Sequence, residues 1–475
     1  MNDDTVRRQS RRETEPQRDP RRAVRLKTYR KETVMRKFLV IIICKILRFI
    51  GKKIGKGSSL PGQVALKLYP NVLSKIKLPE KIIAVTGSNG KTSTVEMIAH
   101  ILSTNGLKVI YNAEGSNQIE GVTTFILSNA TLGGKLDGDV LLIESDERYA
   151  KYTFKHFAPT HLVLTNLYRD QLTRNGHPMW VYNAIKESIH DSTQLILNAD
   201  DPLVSLFGKD REGTLWFGAD KLSTDSSEFN GVYNDGVYCP VCHGPMEYST
   251  YHYNHIGHFD CAVCGYKRRN TDFTVTKADL NEGFIVIDGK HRIDLALKSL
   301  YNIYNLLAAY TVASVMGIEG ERIAECINNY TLKNGRVLTF RLGSRRGTFL
   351  VAKHENSISY DLSLKVVASD TEGSDVLIIV DAVSRKYFTS DVSWLYDINF
   401  QLLDTDNVKN IVLAGAYAND LAARFSYTGI GDYKIKVTES IAEGVELLNN
   451  DSTDKIYVIT CFSDKGKFLE LVEVE

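Results

Sequence analysis

The sequence has almost no net charge: 58 lysines and arginines stand against 57 aspartates and glutamates. A balance of +1 offers no electrostatic case for a nucleic-acid partner. Cysteine is scarce and odd in number. The seven are Cys44, Cys239, Cys242, Cys261, Cys264, Cys326 and Cys461, which argues against a disulfide framework and for a reducing compartment. The apolar run Phe38 to Cys44 is too short to span a bilayer, and Lys45 and Arg48 interrupt its continuation. No small-residue cleavage site follows it; Lys52, Lys53 and Lys56 do, which argues against a signal peptide. What remains is an ordinary globular composition, 24% charged, over 475 residues, enough for two or three domains.

Residues 1–34 are rich in Arg, Glu, Asp and Gln, and the expectation is disorder. A basic, apolar helix begins at Met35, where an alternative start of the chain is plausible. Two uses of this helix stay open: docking on the protein's own surface, the favoured one, or lying in a membrane interface. Ser58-Ser59-Leu60-Pro61 marks a linker, and a helical stretch over 64–78 leads into the strongest signal of the chain.

That signal is Lys81-Ile-Ile-Ala-Val-Thr-Gly-Ser-Asn-Gly-Lys-Thr-Ser-Thr94. Residues 82–86 read as a buried strand, Gly87 to Gly90 as a tight turn, and Lys91 onward as a helix. Glycines let backbone N–H groups approach phosphate oxygens, and a helix N-terminus adds partial positive charge. Lys91 would bring full charge to the phosphates of ATP, and the Thr92 hydroxyl could ligate Mg²⁺. An ordinary glycine turn is the bland alternative. The common phosphate loop has another glycine five positions before Gly90; here that place is Val85, so the loop is a shortened variant.

Strand-like runs then alternate with helices at 108–112, 140–144, 162–166 and 195–198, which predicts a doubly wound parallel sheet with ligands at its carboxyl ends. Glu144 closes one strand near the expected magnesium, against the bland reading of a surface carboxylate. Thr165 to Gly176 is dense in phosphate- or sugar-binding groups, and Asn198-Ala-Asp-Asp-Pro202 is either a plain loop or a nucleotide contact. Cys239-Pro-Val-Cys242 and Cys261-Ala-Val-Cys264 have the spacing of a structural Zn(Cys)₄ ribbon, with Gly244 and Gly265 suited to its turns. His252, His255 and His258 between them are expected to face solvent, and Lys267-Arg268-Arg269 keeps a nucleic-acid reader as an alternative. Asn302 and Asn305, one helical turn apart, suit adenine or ribose recognition or, more plainly, capping. Arg336 follows a glycine turn and could reach phosphate. A second α/β unit restarts near Val337, with strands at 348–352, 376–381, 410–414 and 455–460. Lys353-His-Glu-Asn356 sits at the end of its first strand, facing the expected interdomain cleft, and Asp391 and Asp397 flank Trp394.

The variant loop resembles that of the Mur ligase superfamily. Gly115-Ser-Asn-Gln-Ile-Glu-Gly-Val122, Tyr168-Arg-Asp-Gln-Leu172, the cysteine knuckles, Tyr301-Asn-Ile-Tyr-Asn305 and Asp391-Val-Ser-Trp394 narrow the resemblance to the MurT subunits of lipid II isoglutaminyl synthases, over residues 35–475. Where that family commonly has Lys-Asn-Pro, this chain has Lys353-His354-Glu355-Asn356. The resemblance implies an α/β fold: a Mur ligase-like ATPase domain over 80–336 with a zinc ribbon inserted at about 236–270, an N-terminal helix and linker over 35–79, and a C-terminal α/β domain over 337–475. It implies ATP-dependent amidation of the D-glutamate α-carboxylate of lipid II through an acyl phosphate, in the cytoplasm, with the membrane's inner face as a candidate contact. Gly87, Asn89, Gly90, Lys91, Thr92, Ser93, Asn302 and Asn305 would bind ATP, Thr92 and Glu144 would hold Mg²⁺, and Arg336 would assist. Ammonia would come from a glutaminase subunit, GatD, whose histidine Asp391 would orient, with Asp397 second in line. Competing readings are a Mur-type or folylpolyglutamate-like amino-acid ligase, which needs no glutaminase, and an ATP-driven nucleic-acid protein.

Overall fold

The computed structural model describes residues 20–53, 55, 57–112, 115–171, 175–295, 300–330, 337–382, 391–449 and 453–474. Its chain divides into two units, residues 1–77 with 123–136, and residues 78–122 with 137–475.

In the first unit a helix runs from Pro20 to Lys53, followed by Leu60–Leu68. Of residues 1–34, expected to be disordered, 20–34 are helical; residues 1–19 lie outside the described residues. Ala, Leu, Arg, Lys and Glu after Pro20 are good helix formers, and proline is tolerated in a first turn. Val40, Ile41 and Cys44 are buried, and Lys45 Nζ donates to the Ser128 carbonyl at 2.7 Å. Gly62 N–H donates to Thr124 Oγ1 at 2.8 Å, and Arg36 caps the end of the second helix through the Leu68 carbonyl. No helix among the described residues is long and apolar enough to cross a membrane.

The second unit is built on two sheets. The first contains β1 (Lys81–Thr86), β2 (Val109–Tyr111), β3 (Val140–Glu144), β4 (His161–Leu164), β5 (Gln194–Asn198) and β6 (Leu215–Ala219). A separate hairpin, β7 (Glu247–Tyr253) and β8 (Ile256–Asp260), precedes β9 (Phe273–Asp279), β10 (Phe284–Ile287) and β11 (His291–Asp294). The sheet order is β11-β10-β9-β6-β5-β4-β1-β3-β2, parallel from β9 to β2. Strands β1, β3 and β4 are almost wholly buried, as continuous β-branched and leucine runs demand in a sheet covered on both faces. From β1 the chain builds outward to β3 and β2 on one side and to β4, β5 and β6 on the other. The loop after β1 thus lies at a topological switch point, where open parallel sheets bind ligands.

The second sheet contains β12 (Val337–Leu342), β13 (Arg345–Ala352), β14 (Ser374–Ile379), β15 (Val408–Ala414), β16 (Ile435–Thr438), β17 (Lys455–Cys461) and β18 (Glu473–Val474), in the order β16-β15-β14-β17-β13-β12-β18. Strands β13 to β17 are parallel, and a core of Val376, Ile378, Ile411, Leu413 and Ile459 fills one face.

One half-buried carboxyl in this second sheet's layer has a measurable consequence. Asp361 accepts the Asn399 N–H at 2.7 Å, and burial pushes its pKa up from 3.8 to about 7. Between those two values the folded chain holds a proton that the unfolded chain has released, so stability falls as pH rises from about 4 to about 7. Asp361→Asn is expected to raise the melting temperature at pH 8 and to change it little at pH 4. Melting curves at both values check this, and equal shifts would rule the proton out.

Candidate active site

The loop after β1 turns on two glycines with left-handed backbone, Gly87 at φ 135° and Gly90 at φ 85°. A Cβ at Gly87 would lie 2.3 Å from Thr165 Oγ1, and one at Gly90 would lie 2.0 Å from Asn305 Oδ1. Both positions therefore need glycine for close approach as well as for φ. The helix Lys91–Thr104 starts directly after, its first turn pointing N–H groups into a cleft lined by Ser88, Asn89, Gly90, Lys91, Thr92, Ser93, Asn117, Glu144, Asp146, Glu147, Gln171 and Lys353.

Lys91 is buried at the floor. Its Nζ donates to the Gly87 carbonyl at 2.5 Å and to Glu147 Oε2 at 3.0 Å. Burial works to lower its pKa, but Glu147, Glu144, Asp146 and Asp170 outweigh that and hold it above the ordinary value. Glu147, also buried, is held below the usual carboxylate range, because the pull of Lys91 and then Lys353 exceeds the cost of burial. Thr92 Oγ1 donates to Glu144 Oε2 at 2.8 Å, and Asn117 Nδ2 donates to Glu144 Oε1 at 2.9 Å. Hydroxyl and carboxylate oxygens at one spot are the hard donors magnesium prefers.

Across the cleft the second sheet supplies Lys353 from the end of β13. Its Nζ donates to the Ser88 carbonyl at 3.0 Å and pairs with buried Asp170. Asn356 Nδ2 donates to the other Asp170 oxygen at 2.9 Å, while its Oδ1 accepts Asn89 Nδ2 at 3.0 Å. Gln171 and Glu355 both have left-handed backbone without being glycine, φ 48° and 50°, and the Gln171 N–H donates to the Glu355 carbonyl at 2.9 Å. Non-glycine residues hold that conformation when surrounding contacts over-determine it.

Asn302 and Asn305 are buried on the helix Leu300–Val315. Asn305 lies against Gly90, and its Nδ2 has no protein partner, an orphaned buried donor beside a phosphate-type loop. That feature and the glycine cradle fit a nucleotide. Arg336 lies outside the described residues. Asp391 is exposed, with its Oδ1 accepting the Ser393 N–H at 2.9 Å, and this bond holds its pKa below the usual range. Asp397 is instead paired with Arg169 at 3.2 Å, and that guanidinium stacks 3.4 Å over the Tyr233 ring.

The four ribbon cysteines converge: Cys239 and Cys264 sulfurs lie 3.6 Å apart, Cys242 and Cys261 sulfurs 3.5 Å, and all four fall within 4.8 Å of one another. Tetrahedral zinc with Zn–S bonds near 2.3 Å needs sulfurs about 3.8 Å apart. Amides of Val241 and Gly244 donate to the Cys239 and Cys242 sulfurs at 3.4 Å, as thiolates accept. The left-handed step falls on Gly265 in the second knuckle but on His243, not Gly244, in the first.

Three expectations are corrected nearby. His252 and His255 are buried and His258 is half-buried, because they tie the hairpin to the sheet: His252 Nδ1 to Asp225 at 2.7 Å, His258 Nε2 to the Ala219 carbonyl at 2.8 Å, and His255 next to Asp201. Asp200 and Asp201 serve the fold. Asp200 accepts from Tyr304 and Arg268, and Asp201 accepts the Leu167, Leu203 and Val204 amides. Arg268 is thereby neutralised, while Lys267 and Arg269 are exposed, Arg269 with a hydrogen bond to the Lys209 carbonyl.

Asn117, Asp170 and Gln171 lie inside stretches that the sequence marks, at 115–122 and 165–176, without an individual role; Glu147 has no such mark. Glu147 was within sight, three residues after Glu144, yet nothing local marks its pairing with Lys91.

The Mur ligase middle domain family model matches residues 85–262, and the MurT ligase C-terminal family model matches residues 354–464. The chain is 32% identical over 394 residues to the subunit MurT of lipid II isoglutaminyl synthase (glutamine-hydrolyzing) from Staphylococcus aureus strain N315, covering 82% of this chain and 87% of that one. It belongs to the MurT family. The Streptococcus pneumoniae R6 subunit MurT is 28% identical over 439 residues, 89% of this chain and 94% of that one. Among solved structures, a pseudomurein peptide ligase type C from Methanothermus fervidus shares the fold at TM-score 0.66 and 21% identity, over 85% of this chain and 80% of that one. The MurF ligase of Thermotoga maritima in complex with ADP does so at TM-score 0.55 and 14% identity, over 86% and 83%. The chain is an ATP-dependent ligase with the Mur ligase α/β fold.

Proposed function

We propose that this chain amidates the α-carboxylate of D-glutamate in the stem peptide of lipid II, using ammonia released by a separate glutaminase subunit of the GatD type. The kinship with MurT subunits carries the substrate, since those relatives are named for lipid II and for glutamine hydrolysis. The arrangement of charge in the cleft supports the chemistry. A carboxylate is a poor electrophile. Its oxygen attacks the γ-phosphorus of ATP, ADP leaves, and an acyl phosphate results. Ammonia then attacks the acyl carbon, phosphate leaves with the bonding electrons, and one proton is lost to give the amide.

Lys91, at the start of the helix and held charged by its acidic neighbours, neutralises the phosphoryl group as charge shifts towards ADP. Thr92 and Glu144, with Asn117 beside them, are the groups that would hold Mg²⁺, which would supply positive charge to offset that of the phosphates. Lys353 adds a second cation from the opposite sheet, beside the Ser88 carbonyl. Arg336 is proposed as a further phosphate contact. No amino acid is needed as nucleophile, which separates this reading from the amino-acid-adding ligases.

The decisive assay gives purified chain ATP, lipid II and ammonium chloride, with and without the glutaminase. Ammonium alone is expected to support amidation with ADP release, and glutamine only when the partner is present. Failure to amidate lipid II under either condition, with the chain folded, overturns the reading.

We propose that the four cysteines hold one structural Zn²⁺. About one zinc per chain is expected by elemental analysis, and none in Cys261→Ser/Cys264→Ser, whose melting temperature should fall. A metal-free wild-type chain with an unchanged melting temperature would remove zinc from the account.

A further inference from the structure

The helix Pro20–Lys53 has two apolar faces, and the fold uses one. Val40, Ile41 and Cys44 are buried against the rest of their unit. On the opposite side Met35, Phe38, Leu39, Ile46, Phe49 and Ile50 recur at three- and four-residue intervals, a stripe about 120° wide on a helix of 3.6 residues per turn. These side chains are open to solvent: Met35 is 61% exposed, Ile46 53% and Phe49 68%. Scattered exposed leucines need no explanation, but a continuous stripe of this length marks a binding surface.

Charge decides among the occupants. Residues 35–53 contain six lysines and arginines and no acid. Lys52 borders the stripe on one side and Lys53 closes its end, while Arg36 and Lys45, also at its borders, are bonded to the Leu68 and Ser128 carbonyls. A second copy would bring the same bordering cations to the contact and be repelled. The chain's own first 19 residues cannot cover the stripe either, since Met1 and Val6 are the aliphatic side chains they offer. An apolar stripe rimmed by cations complements a bilayer surface that carries anionic headgroups.

We infer that the helix Pro20–Lys53 lays its open apolar stripe into the interface of an anionic membrane, with Lys52 and Lys53 at headgroup level. The helix does not span; the stripe enters the headgroup boundary and the buried face stays on the protein. This inference stands on the helix alone. A lipid-linked substrate would give the contact a use, holding the chain on the surface where that substrate resides.

Vesicles without lipid II keep the two readings apart. Full-length chain is expected to co-sediment with phosphatidylglycerol-rich vesicles, and at least about tenfold more weakly with phosphatidylcholine vesicles or at high salt. Ile46→Ser/Phe49→Ser should lose about tenfold or more in vesicle binding, while its melting temperature and its ammonia-dependent turnover of detergent-dispersed lipid II stay unchanged. Lys52→Glu/Lys53→Glu should weaken binding to anionic vesicles alone. Absence of binding to anionic vesicles overturns the inference, and so does undiminished binding by the serine variant. A dimer in sedimentation velocity that the serine variant dissolves would assign the stripe to a second copy and overturn it equally.

Discussion

Lys91→Met is expected to cut ammonia-dependent amidation by about a thousandfold or more, since a cation on the transferring phosphoryl group contributes on that scale. The measurement needs care, because Lys91 is also structural. It is buried against Glu147, and removing one partner of a buried ion pair leaves the other uncompensated, at a cost of roughly 3–5 kcal/mol. Glu147 retains Lys353 as a secondary source of positive potential, which softens the loss without replacing the hydrogen bond. The single variant should therefore melt lower as well as lose activity. Lys91→Met/Glu147→Gln removes both charges and is expected to recover most of the melting temperature while remaining inactive. Recovered activity in the double variant would mean that Lys91 serves only to neutralise Glu147. Retention of more than about a tenth of wild-type turnover in the single variant would end the assignment of Lys91 to the phosphoryl group.

This pair also marks where sequence reasoning ran out. The strand-turn-helix at 81–104 is legible because its signals are contiguous: β-branched residues, two glycines, then a helical period. Glu144 is legible for a similar reason, as a carboxylate closing an apolar strand, and parallel pairing of β1 with β3 sets it beside Thr92. The alternation of strands and helices predicted the parallel part of the first sheet from β1 to β5, with ends displaced by a few residues, and four strands of a second α/β unit; β6, β9 to β12, β16 and β18 lack that signal. Glu147 and Asp170 belong to a different category: they pair with Lys91 and Lys353, 56 and 183 residues away, and no local pattern encodes such a pairing, whereas Lys353 itself is legible as a strand-end residue facing a cleft. The ribbon histidines were misjudged on the same grounds. Three histidines in a polar hairpin read as solvated, whereas the hairpin folds back so that Asp225, Asp201 and the Ala219 carbonyl receive them. The helix before Met35 was missed because charged composition was weighed above helix propensity, which the same residues possess in full.

Asp391→Asn is expected to abolish glutamine-dependent amidation, by about three to four orders of magnitude, while ammonia-dependent amidation stays within about twofold. The expectation rests on the proposed partner, whose catalytic histidine would need a carboxylate to fix its tautomer and stabilise its imidazolium; an amide of the same shape presents the wrong hydrogen-bonding face. The structure's contrast between two candidates favours Asp391. Trp394, three residues later, is buried with its ring centroid 5.5 Å from that of Tyr360, so the segment is anchored while Asp391 itself faces outward. The Ser393 N–H bond lowers its pKa, which keeps the carboxylate ionised throughout the neutral range. Asp397 has other work: its ion pair with Arg169 joins the second sheet's layer to the segment after β4. Asp397→Asn should therefore lower ammonia- and glutamine-dependent rates together, by severalfold, with a lower melting temperature, since a half-buried pair is worth little more than an exposed one. The two variants are separated by the ratio of the two activities. A ratio unchanged in Asp391→Asn, or a loss of ammonia-dependent turnover equal to the glutamine-dependent loss, would place Asp391 in the ligase site and leave the partner's histidine without a carboxylate from this chain.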